Sequence, residues 1–486
     1  MIFMLKKIIH MFLKRWALYS LLLLFFGGVG LGYVHFWVRP LFSFAAETSI
    51  DCAVSPNITS SQNSQSIVLT NGTCTLTETA TLASLTINSG VTLQFADDVD
   101  LTVAGATSVT GVLSFGSGNE LNGATDITVN SGGEITHSVY TIEAAFEPKV
   151  NINITGDVTV NSGGEINVAE KGYLGGRSGA NIDYQQARTY GNLEPDDGVD
   201  AITDGSTGKA GGSHGGRGAP GAYTSAFAYD SIVSPIYPGG GGGTYYHTGN
   251  YIGGDGGGVV IISAANIIVA GSILADGENL INGSGEFYGG AGAGGSINLT
   301  ASSAISGAGD ITAIGGYVNS YSGLAGGGGG RIAIVSNSNT FSGSVNASSN
   351  VYGTGVTLGG SAGTFYKKIS SNTYGDLYIN NYANDKAYYN TTLVSPVTST
   401  DQLANSGYAF DSVTVSSYGI LNVPATVHDT DDDNPFLFYS ASCTADNDTA
   451  SDGEIVYDDT RTDEGVANDY TCVEAVVPGI DCSSNP

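Results

Sequence analysis

Two stretches of the sequence carry residue types with an evident capacity for chemistry. Between Lys171 and Gly257 nine tyrosines stand in a glycine-rich setting, among them Tyr184, Tyr190, Tyr223, Tyr229, Tyr245, Tyr246 and Tyr251. Flat amphipathic rings beside glycine make adaptable contact surfaces for sugars or partner proteins. The same composition also suits a flexible low-complexity segment, as the unbroken run Gly239 to Gly243 suggests, or a loop packed on its own scaffold. The second stretch is "DNDTASDGE" from Asp446 to Glu454, preceded by the acidic run Asp429, Asp431, Asp432 and Asp433. Clustered carboxylates on a turn with glycine suit a hard cation, so Asp446, Asp448 and Asp452 are candidate calcium ligands. Ala450 stands where an EF-hand loop needs Asp or Asn, which excludes that motif and leaves a solvated acidic cap as the alternative.

Cysteine placement points to an oxidising compartment. Cys52 and Cys74 lie close together, Cys443, Cys472 and Cys482 cluster far downstream, and no short Cys/His spacing suggests zinc. Disulfides are expected between Cys52 and Cys74, and between Cys443 and either Cys472 or Cys482. The amino terminus supports export: Lys6, Lys7, Lys14 and Arg15 precede an uncharged stretch from Trp16 to Val38, long enough to span a bilayer. Small residues before Ala46 leave both a cleaved signal and a retained membrane anchor open. Either way the body beyond Pro40 is placed outside the cell, secreted or anchored by its amino-terminal helix.

Charge narrows the partners. The chain of 486 residues carries 45 acidic and 16 basic side chains. Five of the basic ones precede Pro40, so the body bears 11 minus 45, or -34. Phosphate binding needs Lys/Arg clusters, which argues against nucleic acid.

The element that must position these groups is legible from internal repetition. "DITVNSGGEIT" (Asp126 to Thr136) returns as "DVTVNSGGEIN" (Asp157 to Asn167), and looser copies begin at Ser84 and Ser412. A second repeat opens at Gly258, Gly295 and Gly330, rich in Ile and Val with Gly and Asn between short strands. Period-2 strands at irregular spacing, with no sustained helical period, predict an all-β parallel β-solenoid, a right-handed β-helix. Its expected parts are a signal or anchor (1–46), an amino-terminal cap (47–80) and the solenoid (81–424). The solenoid carries a lateral glycine-rich insertion (171–257), and an acidic cysteine-containing segment (425–486) follows it. With 72 glycines, about twice the usual share, tight corners are affordable throughout.

Motifs such as "VNSGGEI" and "IIVAGSILADG" resemble the glycine-rich parallel β-helix proteins of bacterial surfaces, of the filamentous-haemagglutinin or autotransporter-passenger type. The resemblance implies a non-catalytic adhesin or surface-assembly protein without a cofactor, meeting cell-surface glycans, proteins or further copies of itself. Inverting pectin-degrading β-helices offer a rival. They resemble the chain at Asp196-Asp197, at "SHG" around His214 and at "RIA" from Arg331, which would imply a polysaccharide-active enzyme. That match departs from the pattern at Ser213, at Ala333 and in the absence of "NTD".

Overall fold

The computed structural model describes residues 47–141, 148–380 with short internal exceptions, and beyond 380 chiefly the strands named below. The exceptions are 183, 185, 191–204, 221–222, 245–251, 281–288, 319–324 and 351–358. Residues 1–46, and with them the expected membrane or signal helix, lie outside the described residues. Among the described residues no helix is long and apolar enough to cross a membrane, and the helical elements are the single 3₁₀ turns Ser60–Gln62 and Gly179–Asn181.

Short strands with alternating apolar residues cannot bury their inward face alone, so successive chain turns stack in parallel. Each turn contributes three strands. One runs Ser84–Ile87, Val91–Phe95 and Leu101–Val103; the next runs Thr107–Val109, Val112–Phe115 and Leu121–Gly123. The pairing carries equivalent residues from turn to turn. Leu85 faces Thr107, then Ile127, Val158 and Ile267, while Leu93 faces Leu113, then Ile135, Ile166 and Ile273. All these apolar residues are buried in one continuous core. The two copies of "VNSGGEI" sit on neighbouring turns, with Ile135 and Ile166 fully enclosed. From Val259–Val269 onward two of the three strands merge into one long strand, which pairs with both Val150–Ile154 and Val158–Val160. Ser296–Ser306 and Arg331–Asn339 repeat that form.

The stack reaches further at both ends than the sequence suggests. Residues expected to form a cap are already in register: Ile67 pairs with Leu85 and Cys74 with Leu93. At the other end Thr364–Lys368 pairs antiparallel with Asp376–Asn380, Phe365 opposite Tyr378, and the chain direction reverses. A second parallel series then begins. Asp376–Asn380 pairs with Ser412–Ser416 and that with Ala441–Cys443, while Thr391–Thr392, Ile420–Pro424 and Glu454–Asp458 form a companion ladder. Strands thus continue beyond residue 424, where a separate acidic segment was expected.

The insertion 171–257 differs from a lateral loop. Its glycine segments belong to no strand, yet their backbones are bonded with a period of three. Gly239 and Gly242 donate to Gly257 and Gly254, Gly240 and Gly243 to Ser213 and Ala210, and Gly241 to Arg188, at 2.8–3.1 Å. Gly253 and Gly256 donate to Gly176 and Tyr173, and Gly254 and Gly257 to Gly290 and Ala293. Three neighbours served in rotation, with none of these bonds internal to its own segment, is the pattern of extended threefold helices packed side by side. Close approach requires glycine: a Cβ on Gly253 would lie 1.7 Å from the Gly242 oxygen. Segments outside the insertion complete this layer, since Gly290 donates to Gly243 and Gly328 to Gly212.

Candidate functional site

The seven candidate tyrosines do not share one surface. Tyr229 is buried in an aromatic cluster with Tyr140 and Tyr173, and Tyr190 packs on it with ring centroids 5.7 Å apart. Tyr229 donates its hydroxyl to the Pro238 carbonyl at 2.6 Å. It is therefore a core residue: its ring lies beneath the glycine layer, where no external ligand reaches. Tyr184 and Tyr223 are half-buried. The Arg188 guanidinium lies 5.3 Å from the Tyr184 ring centre, and the Tyr223 ring covers Gly208, whose φ of +57° and lack of a side chain admit it. Phe227 is 40% exposed, with the Arg217 guanidinium 4.6 Å from its ring centre. Tyr245, Tyr246 and Tyr251 lie outside the described residues, as do Asp446, Asp448, Asp452, Cys472, Asp196 and Asp197.

His214 and Arg331 do converge, but in the interior. His214 Nδ1 lies 2.9 Å from the Gly294 carbonyl and its Nε2 3.2 Å from Asp230 Oδ2. Asp230 also accepts the N–H groups of Ser231, Ile236 and Tyr237 and the Ser296 hydroxyl. Arg331 donates to the Tyr229 carbonyl at 2.8 Å and to the Thr364 hydroxyl at 3.1 Å. His214, Ser296 and Arg331 are fully buried and Asp230 is 2% exposed. Burial holds the His214 imidazole below its ordinary pKa, against the opposing pull of Asp230. Ser, His and Asp meet here without a hydrolytic relay, because one ring nitrogen faces both the hydroxyl and the carboxylate. The node ties the insertion to the strands at Ser296 and Arg331, and no polysaccharide can enter it. Nothing in the stretch "AYDSIVSPIYP" marked Asp230 in advance. His137 was equally unmarked: burial pushes it down to about 3, and its Nε2 accepts the N–H of Val259, where the chain re-enters the stack.

A second polar group occupies the seam between the strands and the glycine layer. Asp255 Oδ1 accepts the Gly175 N–H at 2.7 Å, and the Asp255 N–H donates to Glu278 Oε2 at 2.8 Å. Asp276 accepts the Ile314 N–H and the Thr312 hydroxyl, and the Glu170 N–H donates to the Asp276 carbonyl. Burial pushes Asp255 up to about 6 and Glu278 up to about 7, and raises Asp276 as well, with the Glu170 charge adding to each. Among the described residues no three His, Cys, Asp or Glu side chains are arranged to hold a metal ion.

A cavity of about 150 Å³ lies at the chain reversal, lined by Val345, Ala347, Phe365, Tyr378, Asn380 and Ser416. It is smaller than ordinary ligand pockets of roughly 300–1,000 Å³. Cys52 and Cys74 are bonded, with Cα atoms 4.9 Å apart, inside the core. Cys443 lies on the strand paired with Ser412–Ser416, in register with Val415. No protein-family model, no curated protein and no solved structure matches the chain.

Proposed function

We propose that the chain is an exported, right-handed parallel β-solenoid that acts at the cell surface in adhesion or surface assembly, without catalysis. The handedness follows from the general rule for strand–crossover–strand connections within a parallel sheet. The observation that carries the functional reading is the glycine layer. Rings flank it: Tyr184 lies beside Arg188, whose carbonyl accepts the Gly241 N–H, Tyr223 covers Gly208, and Phe227 lies beside Arg217, so contact through rings set on this scaffold requires little further ordering. A glycan or a partner protein suits such a surface, and the acidic body makes attachment to anionic surfaces dependent on salt or divalent cations. Polysaccharide cleavage is the weaker reading, because the His214–Arg331 pair is sealed from solvent.

A second disulfide, Cys443 to Cys472 or Cys482, belongs to the same reading. Cys52–Cys74 is bonded inside the parallel stack, and Cys443 stands at a ladder position in register with a buried valine.

The test is attachment of the purified body to cells and to immobilised glycans, comparing the native protein with the triple variant Tyr184→Ala, Tyr223→Ala, Phe227→Ala. Loss of attachment at unchanged β content is expected. Full retention, or polysaccharide cleavage by the native protein, would overturn the proposal.

A further inference from the structure

We propose that the carboxylate seam formed by Glu170, Asp255, Asp276 and Glu278 makes the packing of the glycine layer on the β-stack respond to pH in the neutral range. The geometry stands on direct backbone bonds. The N–H of Glu278 donates to the Asp255 carbonyl while the N–H of Asp255 donates to the Glu278 carboxylate, so Glu278 grips the Asp255 backbone at both ends while the Asp255 carboxylate reaches on to the Gly175 N–H. Asp276 and Glu278 are two residues apart on the segment that follows Ser272–Leu274, and Glu170 bonds that segment from the previous turn. Four acids thus share three adjoining segments at the place where the strands give way to the glycine layer.

Among the described residues, the charges acting on them are all negative. Asp255 meets the Gly175 N–H and the Ser178 hydroxyl, Asp276 meets Ile314 and Thr312, and the charge acting on each comes from Glu170, with Asp255 acting on Glu278 as well. Lys171 is turned away, its Nζ donating to Thr136 and to the His137 carbonyl.

The sign follows from linkage. Carboxyls raised above their ordinary values bind protons more tightly when the seam is packed than when it is open. Their contribution is complete below about pH 4, where both forms are protonated, and is lost as pH rises through about 6 to 7, where the packed form ionises. The layer is therefore tightest in mild acid and loosens toward alkaline pH. The same carboxylates accept backbone N–H groups, so loosening releases the amides of Gly175, Asp255 and Ile314 first.

Native-state amide exchange at pH 5 and pH 8, corrected for the intrinsic exchange rate, reads this directly. Protection of Gly175, Asp255 and Ile314 is expected to fall at least about tenfold between the two conditions. Protection of Ile135 and Ile166, deep in the stack, should change far less, which separates the seam from general charge repulsion. The double variant Asp255→Asn, Glu278→Gln keeps the acceptor oxygens and should flatten the response. Each single variant, with Ile166 protection as the sign of a folded stack, serves if the double variant does not fold. Equal pH dependence at the seam and at Ile166, or an unchanged response in the folded variants, would defeat the proposal.

Discussion

At the scale of single residues, glycine does two different jobs in this chain, and substitution separates them. Gly132 has φ +79° with open space around it, so only its conformation demands glycine. Gly253 is not in the left-handed region, but a Cβ there would meet the Gly242 oxygen at 1.7 Å. Gly132→Ala should cost about 1 kcal/mol, the usual penalty of a left-handed alanine. Gly253→Ala should cost about 3 kcal/mol or more, because backbone rather than a side-chain tip has to move. Thermal unfolding of the two variants measures the difference, and a milder effect at Gly253 would mean that the layer is looser than described. The chemistry-bearing residues were legible only as types. The tyrosine-rich composition of 171–257 is plain in the sequence, but the burial of Tyr229 depends on the Pro238 carbonyl and on two rings distant in the chain, which no local pattern records.

At the scale of elements, the stacked strands were readable because each turn repeats its alternation, as the two "VNSGGEI" copies show. The glycine segments were not, since bonds that rotate among three neighbours leave no apolar period to read. The extension of the stack over residues 47–80 leaves no sequence signature for a related reason: the strands from Ser66 to Leu76 pair in register but share no string with the repeats. Within this stack Cys52–Cys74 joins residues 22 apart in sequence. Closing such a loop contributes about 3 kcal/mol, largely by restricting the unfolded chain. Stability in a stacked array is passed between neighbours, so the effect belongs to the turns around Ile67 and Leu85. Reduction should lower amide protection there and leave Ile297 and Ile332 nearly unchanged. Uniform loss along the stack would show a single cooperative unit instead.

At the scale of the whole molecule, the insertion 171–257 is part of what holds the later turns. Gly290, Ala293 and Gly328 all donate to acceptors within it, and Ser296 and Arg331 bond to its Asp230 and Tyr229. Deleting 171–257 should therefore leave the turns from Val259 onward unfolded or aggregated, with loss of β content by circular dichroism. Equal β content and an equal melting temperature would show instead that the later turns stand without it. The threefold bonding of the glycine layer also sets a rule for the lineage of this sequence. Adding or removing one residue in such a segment rotates everything beyond it by about 120° and presents each N–H to the wrong neighbour. Length changes within Gly239 to Gly243 or Gly253 to Gly258 are compatible with the layer only in steps of three residues, or nine nucleotides, whereas the corners between strands carry no such reading frame.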